Sequence, residues 1–317
     1  MIDFLILIAG FFPLIYGANF LVDSASSIAK RHNIPNMVIG LSIVAFGTSA
    51  PELVVNLFAS VEGSSQIALG NILGSNIFNI LGILGISALV YPLTVKTNTT
   101  WIEIPLSLMS AVLIFFTAND AFFEKRSFSE ISFIDGIVYL FLFIIFLAYI
   151  FNLMKQGNFE EEIEIKEYKT PMSVFLFFSG LILLVAGSKM IVYGASGFAK
   201  TLGISERIIA LTIISAGTSL PELATSFMAA RKKNVDLAVG NIVGSNIFNV
   251  FLILGISALV NPLALQPESH FDILVNIFSS LLLFIFVFTG KGRKIDRWEG
   301  GVFLSLYIAY ITYLIIK

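Results

Sequence analysis

Apolar residues run through this chain in blocks of about twenty, the length a helix needs to cross the hydrocarbon core of a bilayer. Ten such blocks fall near residues 3–29, 36–60, 66–91, 101–118, 132–154, 172–199, 205–230, 236–262, 270–289 and 299–316. Most polar residues lie between the blocks, but a smaller set sits inside them and recurs. Gly70-Asn-Ile-Leu-Gly-Ser-Asn-Ile-Phe-Asn79 returns as Gly240-Asn-Ile-Val-Gly-Ser-Asn-Ile-Phe-Asn249, nine of ten residues identical, and residues 70–93 match 240–263 at 19 of 24 positions. Gly47-Thr-Ser-Ala-Pro-Glu52 returns as Gly217-Thr-Ser-Leu-Pro-Glu222 at the same offset of 170. Weaker matches reach back to Gly17/Gly187, Ala25/Ala195 and Lys30/Lys200.

Each half therefore holds five spans, an odd number, so the second half must enter the membrane from the opposite side. The predicted fold is an all-α polytopic membrane protein of ten transmembrane helices, built as two inverted-topology five-helix repeats. Transporters of this architecture place their sites near the midplane, between the repeats. The expected division is residues 1–154 with a polar motif at 45–79, a linker at 155–171, and residues 172–317 with the second motif at 215–249.

Composition agrees with the pattern. The 317 residues are 57% hydrophobic and 13% charged, with a mean hydropathy of +0.91, whereas a soluble chain carries roughly a quarter charged residues. The net charge of −2 and the lack of a basic cluster give no footing for a nucleic-acid partner. With no cysteine, disulfides and thiolate metal sites are excluded. The first apolar block lacks a basic leader and a small-residue cleavage site, so it reads as a spanning helix rather than a signal peptide.

Basic residues set the expected orientation. Loops after spans 1, 3, 5, 7 and 9 hold thirteen, among them Lys30, Arg31, Lys96, Lys155, Lys166, Arg231, Lys232, Arg293 and Lys294. The other side holds five: Lys125, Arg126, Lys200, Arg207 and Lys317. The first set is assigned to the cytoplasm and both termini to the outside of a cell (plasma) membrane, with linker 155–171 inside. That linker carries Glu160, Glu161, Glu162, Glu164 and Glu167, without the oxygen spacing and turn glycine of an EF-hand loop. It reads as a solvated acidic connector. His32 and His270 at loop ends are expected to be solvated, Lys189 to snorkel to the interface, and Asp120 and Asp135 at span ends to be exposed.

The chemistry lies in the duplicated motifs. Pro51 has no N–H, so the carbonyl of Gly47 loses its helical partner and the turn opens. In lipid such a break survives only where it lines a cavity or meets protein or an ion. Ser49 and Glu52 are three apart and share a face of the helix. Glu52 is costly at mid-bilayer without a partner, and its span contains no Lys or Arg. Gly217, Ser219, Pro221 and Glu222 repeat every element. In the next span, Ser75 and Asn79 share a face, as do Ser245 and Asn249, while Asn76 and Asn246 fall off it. Gly74 and Gly244 read as packing positions. Carboxylate, hydroxyl, amide and carbonyl oxygens are ligands for hard cations such as Ca²⁺. With no His or Cys near, Zn²⁺ and Cu⁺ find no support. Taken singly, each Pro, Ser or Asn could serve only to kink or glue helices. Two partnerless acids, duplicated with their surroundings, point instead to bound cations or protons.

Gly-Thr-Ser-x-Pro-Glu followed by Gly-Asn-x-x-Gly-Ser-x-x-x-Asn, present in both halves, resembles the alpha repeats of sodium/calcium exchangers, in the cation/Ca²⁺ antiporter superfamily. By that resemblance Glu52 and Glu222 would bridge a central Ca²⁺, and Thr48 and Thr218 would add backbone carbonyls. Ser49, Ser75, Ser219 and Ser245 would complete flanking Na⁺ sites, with Asn79 and Asn249 lining the centre. Ala45 corresponds to a carbonyl ligand; its mate is Ser215, where related proteins often carry Ala. The resemblance further implies three Na⁺ exchanged per Ca²⁺, and spans 1 and 6 sliding across the other eight. Some relatives have Asp at a central Asn position, accompanying K⁺ use; Asn at both positions here weighs against K⁺ co-transport. Proton-coupled calcium exchangers usually precede the key Glu with Gly-Asn-Ala, so Gly-Thr-Ser-x-Pro favours Na⁺.

The expected function is secondary antiport of Na⁺ against Ca²⁺, extruding cytoplasmic Ca²⁺, with the bilayer and these ions as partners and no cofactor. A Ca²⁺/H⁺ antiporter, a cation channel and a non-transporting scaffold stand as the alternatives. No nucleophile–base pair or phosphate loop suggests an enzyme.

Overall fold

The computed structural model describes residues 2–119, 129–156, 166–201, 215–266, 269–289 and 292–316. Asp120, Lys125, Arg126, Arg207, Lys291, Lys317 and the glutamates at 160–164 lie outside them. In chain order the helices are α1 (Ile2–Arg31), α2 (Asn36–Thr48), α3 (Ala50–Val61), α4 (Ser65–Val90), α5 (Thr99–Thr117) and α6 (Phe133–Gln156). They continue as α7 (Thr170–Thr201), α8 (Ser215–Thr218), α9 (Leu220–Arg231), α10 (Val235–Val260), α11 (Ser269–Thr289) and α12 (Arg297–Ile316). Among the described residues eight helices are long and apolar enough to cross a bilayer, and α2 with α3, bent by 47°, makes a ninth span. The expected span at 205–230 is described only from Ser215, where α8 and α9 repeat α2 and α3.

The outward faces are what a lipid solvent selects. Phe141 and Ile144 on α6 are 62% and 63% exposed, a waste of apolar area in water but not among acyl chains. By contrast α4 and α10 lie at the centre, with Ile72, Ile77, Ile80, Ile242, Ile247 and Phe251 buried. Both α6 and α12 begin with side-chain caps that satisfy otherwise orphaned backbone donors. Ser132 N and Oγ donate to Asp135 Oδ2 at 2.8 and 2.6 Å, and Asp296 N donates to Glu299 Oε2 at 2.5 Å. Capping draws Asp135 into a half-buried position, contrary to the exposure expected of it. His32 and His270 are exposed, as expected.

Opposite insertion of the halves is visible where equivalent helices meet. Along the contact of α1 with α7, Asp3 and Leu7 lie beside Gly194, Gly10 beside Ile191, and Gly17 beside Gly180. Numbers rise on one helix as they fall on the other, so two helices related by the repeat run antiparallel. The backbones nearly touch. A Cβ on Gly17 would stand 2.8 Å from the Gly180 carbonyl oxygen, and one on Gly187 would stand 2.6 Å from Leu14 N.

Two short antiparallel ladders repeat the symmetry at the surface. Leu93 and Thr94 pair with Ile295 and Lys294, while Glu130 and Ile131 pair with Ala264 and Leu263. The first ladder joins the loops after spans 3 and 9, and ion pairs gather other loops of the same set. Lys30 meets Glu167 at 2.5 Å, and Asp23 is bound by Lys232 at 2.7 Å and Lys166 at 3.5 Å. Loops grouped by their basic residues therefore do share a face.

Candidate cation site

Both proline motifs break their helices at the serine. Ser49 has φ −84° and ψ 6°, and Ser219 has φ −89° and ψ 10°, each followed by a new helix with its proline in the first turn. Ladder bonds Ser49 N to Ala45 O (3.0 Å) and Leu53 N to Ser49 O (3.1 Å) flank the first break, and Pro51 has no N–H to offer Gly47. The glutamates follow immediately, at the start of α3 and α9, and each is only 1% exposed.

Each acid is held mainly by the opposite half. Ser219 Oγ donates to Glu52 Oε1 at 2.9 Å, and Ser49 Oγ donates to Glu222 Oε1 at 2.8 Å. The serines of the same half, Ser75 and Ser245, reach the same oxygens at 3.4 Å. The second oxygens, Glu52 Oε2 and Glu222 Oε2, are buried with no hydrogen-bond partner. Among the described residues no Lys, Arg or His pairs with either acid. Four serine hydroxyls thus hold one oxygen of each carboxylate, and the second oxygen of each accepts no hydrogen bond.

The amides behave alike. Asn79 Nδ2 donates to Asn246 Oδ1 and Asn249 Nδ2 donates to Asn76 Oδ1, both at 2.9 Å. Asn76 and Asn246 then donate to each other's backbone carbonyls at 3.4 and 3.5 Å. This crossed ring directs the amide nitrogens of Asn79 and Asn249 across the halves and leaves their Oδ1 atoms buried and unpartnered. Four orphan oxygens at one site, two anionic and two neutral, would each cost free energy without a ligand. A hard cation would supply what they lack.

A further layer fixes the breaks. Thr48 Oγ1 donates to Asn241 Oδ1 at 3.1 Å and Thr218 Oγ1 to Asn71 Oδ1 at 3.4 Å, across the halves. Asn71 and Asn241 in turn donate to the carbonyls of Glu52 and Glu222 at 3.4 and 3.5 Å. The threonine hydroxyls are thereby tied into the protein. Ala45 is placed differently. Its carbonyl accepts from Ser49 N, and Thr48 Oγ1, whose one proton the nearer Asn241 Oδ1 takes, lies 3.3 Å from it. Ser215 begins α8, and its side chain lies outside the described residues.

The expected residues Glu52, Glu222, Ser49, Ser75, Ser219, Ser245, Asn79 and Asn249 are therefore brought together. Asn76, Asn246, Asn71 and Asn241 are what the sequence reading missed. Their signal was present, since all four recur at the offset of 170. A cavity of about 900 Å³ reaches both breaks, with Asp3, Pro51, Lys189, Gly217 and Thr218 in its wall. Lys189 is exposed there.

Comparison with known proteins places this geometry. Residues 2–152 and 172–316 match the family described as sodium/calcium exchanger protein. Sodium/calcium exchanger MaX1 of Methanosarcina acetivorans is 35% identical over 99% of this chain and 98% of its own length. The inner membrane protein YrbG of Escherichia coli is 37% identical over 84% of this chain and 82% of its own. A solved structure of the sodium-calcium exchanger NCX_Mj, soaked with zero Na⁺ and Ca²⁺, superposes with a TM-score of 0.84. It shares 33% identity and covers 98% of this chain and 99% of that one.

Proposed function

The chain belongs to the sodium/calcium exchanger family, and from that premise we propose that it exchanges Na⁺ for Ca²⁺ at the site shared by Glu52 and Glu222. Family membership makes it a membrane antiporter of Ca²⁺. The choice of Na⁺ rests on the Gly-Thr-Ser-x-Pro-Glu motifs and on the serine hydroxyls grouped around each acid. One observation carries the site: two buried carboxylates, one from each half, each held by a serine of the other half and each with an oxygen left unpartnered.

Coupling follows from charge. Empty, the site would hold two negative charges at low dielectric, where unpaired ions are strongly disfavoured. One Ca²⁺ neutralises both, as does a set of Na⁺ ions, and Asn79 and Asn249 add oxygens without adding charge. Movement between outward and inward access is thus favoured only with cations bound, so entry of one ion type drives exit of the other. Glu52 and Glu222 would ligate Ca²⁺ between them, with carbonyls of Thr48 and Thr218 above and below. Ser49, Ser75, Ser219 and Ser245 would hold Na⁺ beside the acids. The glycine-lined contact between α1 and α7 lets these helices move as one body against the rest, exposing the site first to one face and then to the other.

We assign residues 1–154 and 172–317 to the two repeats and residues 155–171 to a cytoplasmic linker. The termini lie outside the plasma membrane, and an inward Na⁺ gradient drives Ca²⁺ out of the cell. Purified protein in vesicles tests the ion. Na⁺-loaded vesicles diluted into Na⁺-free buffer with trace Ca²⁺ should accumulate Ca²⁺. Uptake that ignores the Na⁺ gradient and follows an imposed pH gradient would make the protein a Ca²⁺/H⁺ antiporter instead.

A further inference from the structure

The repeat maps the open cavity beside the helix breaks onto a second path that is closed. Val55, Val192, Tyr193 and Ser196 line the open one, together with Asp3 near the start of the chain, so it lies toward the face we assign to the outside. The offset of 170 carries those four positions to Thr225, Val22, Asp23 and Ser26. There Thr225, Val22 and Ser26 are buried, and no comparable opening reaches the breaks among the described residues. Thr225 Oγ1 is buried with no hydrogen-bond partner. That is costly, and contact with water in a second arrangement would remove the cost.

Two bonds hold the closed path shut, crossing from α1 to the turn between α9 and α10. Lys232 Nζ donates to Asp23 Oδ1 at 2.7 Å, with the two side chains only 29% and 15% exposed. A pair this sheltered avoids part of the screening that weakens surface ion pairs. Asn234 Nδ2 donates to Ser26 Oγ at 2.9 Å. Lys166 also approaches Asp23, at 3.5 Å, but it is 72% exposed and lies just before α7, the partner of α1, so it does not bridge to the rest. The outer mates of Asp23, Lys232, Ser26 and Asn234 are Tyr193, Glu62, Ser196 and Ser64. Among the described residues no side-chain bond joins these mates, and Ser196 Oγ is buried without a partner. A tyrosine opposite a glutamate also offers no ion pair. The charged bond is therefore built into one gate only.

Resting on the exchange function above, we propose that Asp23–Lys232 and Ser26–Asn234 are the latch of the cytoplasmic gate. They tie the α1–α7 pair to the α9–α10 turn while the outer cavity is open. They break when that pair slides and the site faces the cytoplasm. Because the outer gate lacks the ion pair, the chain is biased toward outward access. Asp23 and Lys232 thus set the balance of the two access states without touching the transported ion.

The chain has no cysteine, so one introduced thiol reports alone. Val55→Cys places it in the open cavity, and Thr225→Cys places it at the mate position in the closed path. Each full-length variant, in detergent and Na⁺ buffer, is reacted with a small hydrophilic methanethiosulfonate. Val55→Cys should react about tenfold faster than Thr225→Cys, or more. Adding Lys232→Gln should speed Thr225→Cys about fivefold while Val55→Cys gains nothing, as a shift between two states requires. Lys232→Arg, which keeps the charge, should leave both rates as they were. Ser26→Ala should act in the direction of Lys232→Gln, less strongly, and carries the result if Lys232→Gln does not elute as a single symmetric peak. Equal reaction of the two thiols in the otherwise unsubstituted chain would overturn the proposal. So would rates indifferent to both Lys232→Gln and Ser26→Ala, or rates that rise together at both thiols. Labelling reads access rather than flux. Exchange is measured separately, as Na⁺-driven Ca²⁺ uptake by the unsubstituted chain, so failure of one reading is told apart from failure of the other.

Discussion

Replacing Glu52 with Gln isolates charge from shape. The amide keeps the volume, and its carbonyl oxygen can still accept from Ser219 Oγ, now 2.9 Å from Glu52 Oε1. Its NH₂ group would stand where Oε2 has no partner, facing the ion. The site then carries one negative charge instead of two. At roughly 4 Å and an effective dielectric near 20, a pair of unit charges is worth about 4 kcal/mol. A divalent ion loses twice that, about 8 kcal/mol, before its hydration is counted. If hydration and relaxation return half, the remaining ~4 kcal/mol is close to a thousandfold in affinity. Initial Ca²⁺ uptake into Na⁺-loaded vesicles, at Ca²⁺ below saturation and normalised to reconstituted protein, should fall by about two orders of magnitude or more. Glu222→Gln should do the same, because the two acids occupy equivalent positions in the proposed site. Wild-type uptake by either variant would refute the reasoning. So would a marked asymmetry, with one variant inactive and the other unimpaired.

Smaller perturbations should grade as the geometry does. Ser219→Ala removes a bond to a charged acceptor, worth about 1.5–3 kcal/mol, and should raise the Km for Ca²⁺ by about ten- to hundredfold; Ser75→Ala, whose bond is 3.4 Å long, should do less. Asn246→Ala frees Asn79 Nδ2 to turn toward the ion, so Ca²⁺ affinity should fall about tenfold or more, as for other buried groups left unpaired. Thermal stability measured alongside should fall much less than binding. Gly17→Val places a side chain against a carbonyl 2.8 Å away; exchange rate should drop with Ca²⁺ affinity nearly unchanged, measured as kcat against Km in vesicles.

Much of this site is legible in the sequence because lipid makes polar residues expensive. Glu52, with no basic residue in its span, had to be satisfied by something other than the helix, and its copy at Glu222 showed that the need was built twice. Pro51 and Pro221 located the helix breaks for the same reason. The crossed ring of Asn76, Asn79, Asn246 and Asn249 was not legible, because a helical face relates a residue only to neighbours on its own helix. Asn76 sits off the face of Ser75 and Asn79, yet it bonds to the opposite repeat. Nor could hydropathy foresee the two-residue ladders, Leu93–Thr94 with Lys294–Ile295 and Glu130–Ile131 with Leu263–Ala264. They are too short to leave an alternating pattern.

That Na⁺ and Ca²⁺ use one site is the claim on which the rest depends, and calorimetric Ca²⁺ titration of the purified chain at increasing Na⁺ addresses it directly. With choline holding ionic strength constant, the apparent Kd for Ca²⁺ should rise steeply with Na⁺. The rise should be steeper than first order, and the number of Ca²⁺ ions bound at saturation should not change. A Kd for Ca²⁺ that stays constant while Na⁺ replaces choline would contradict it.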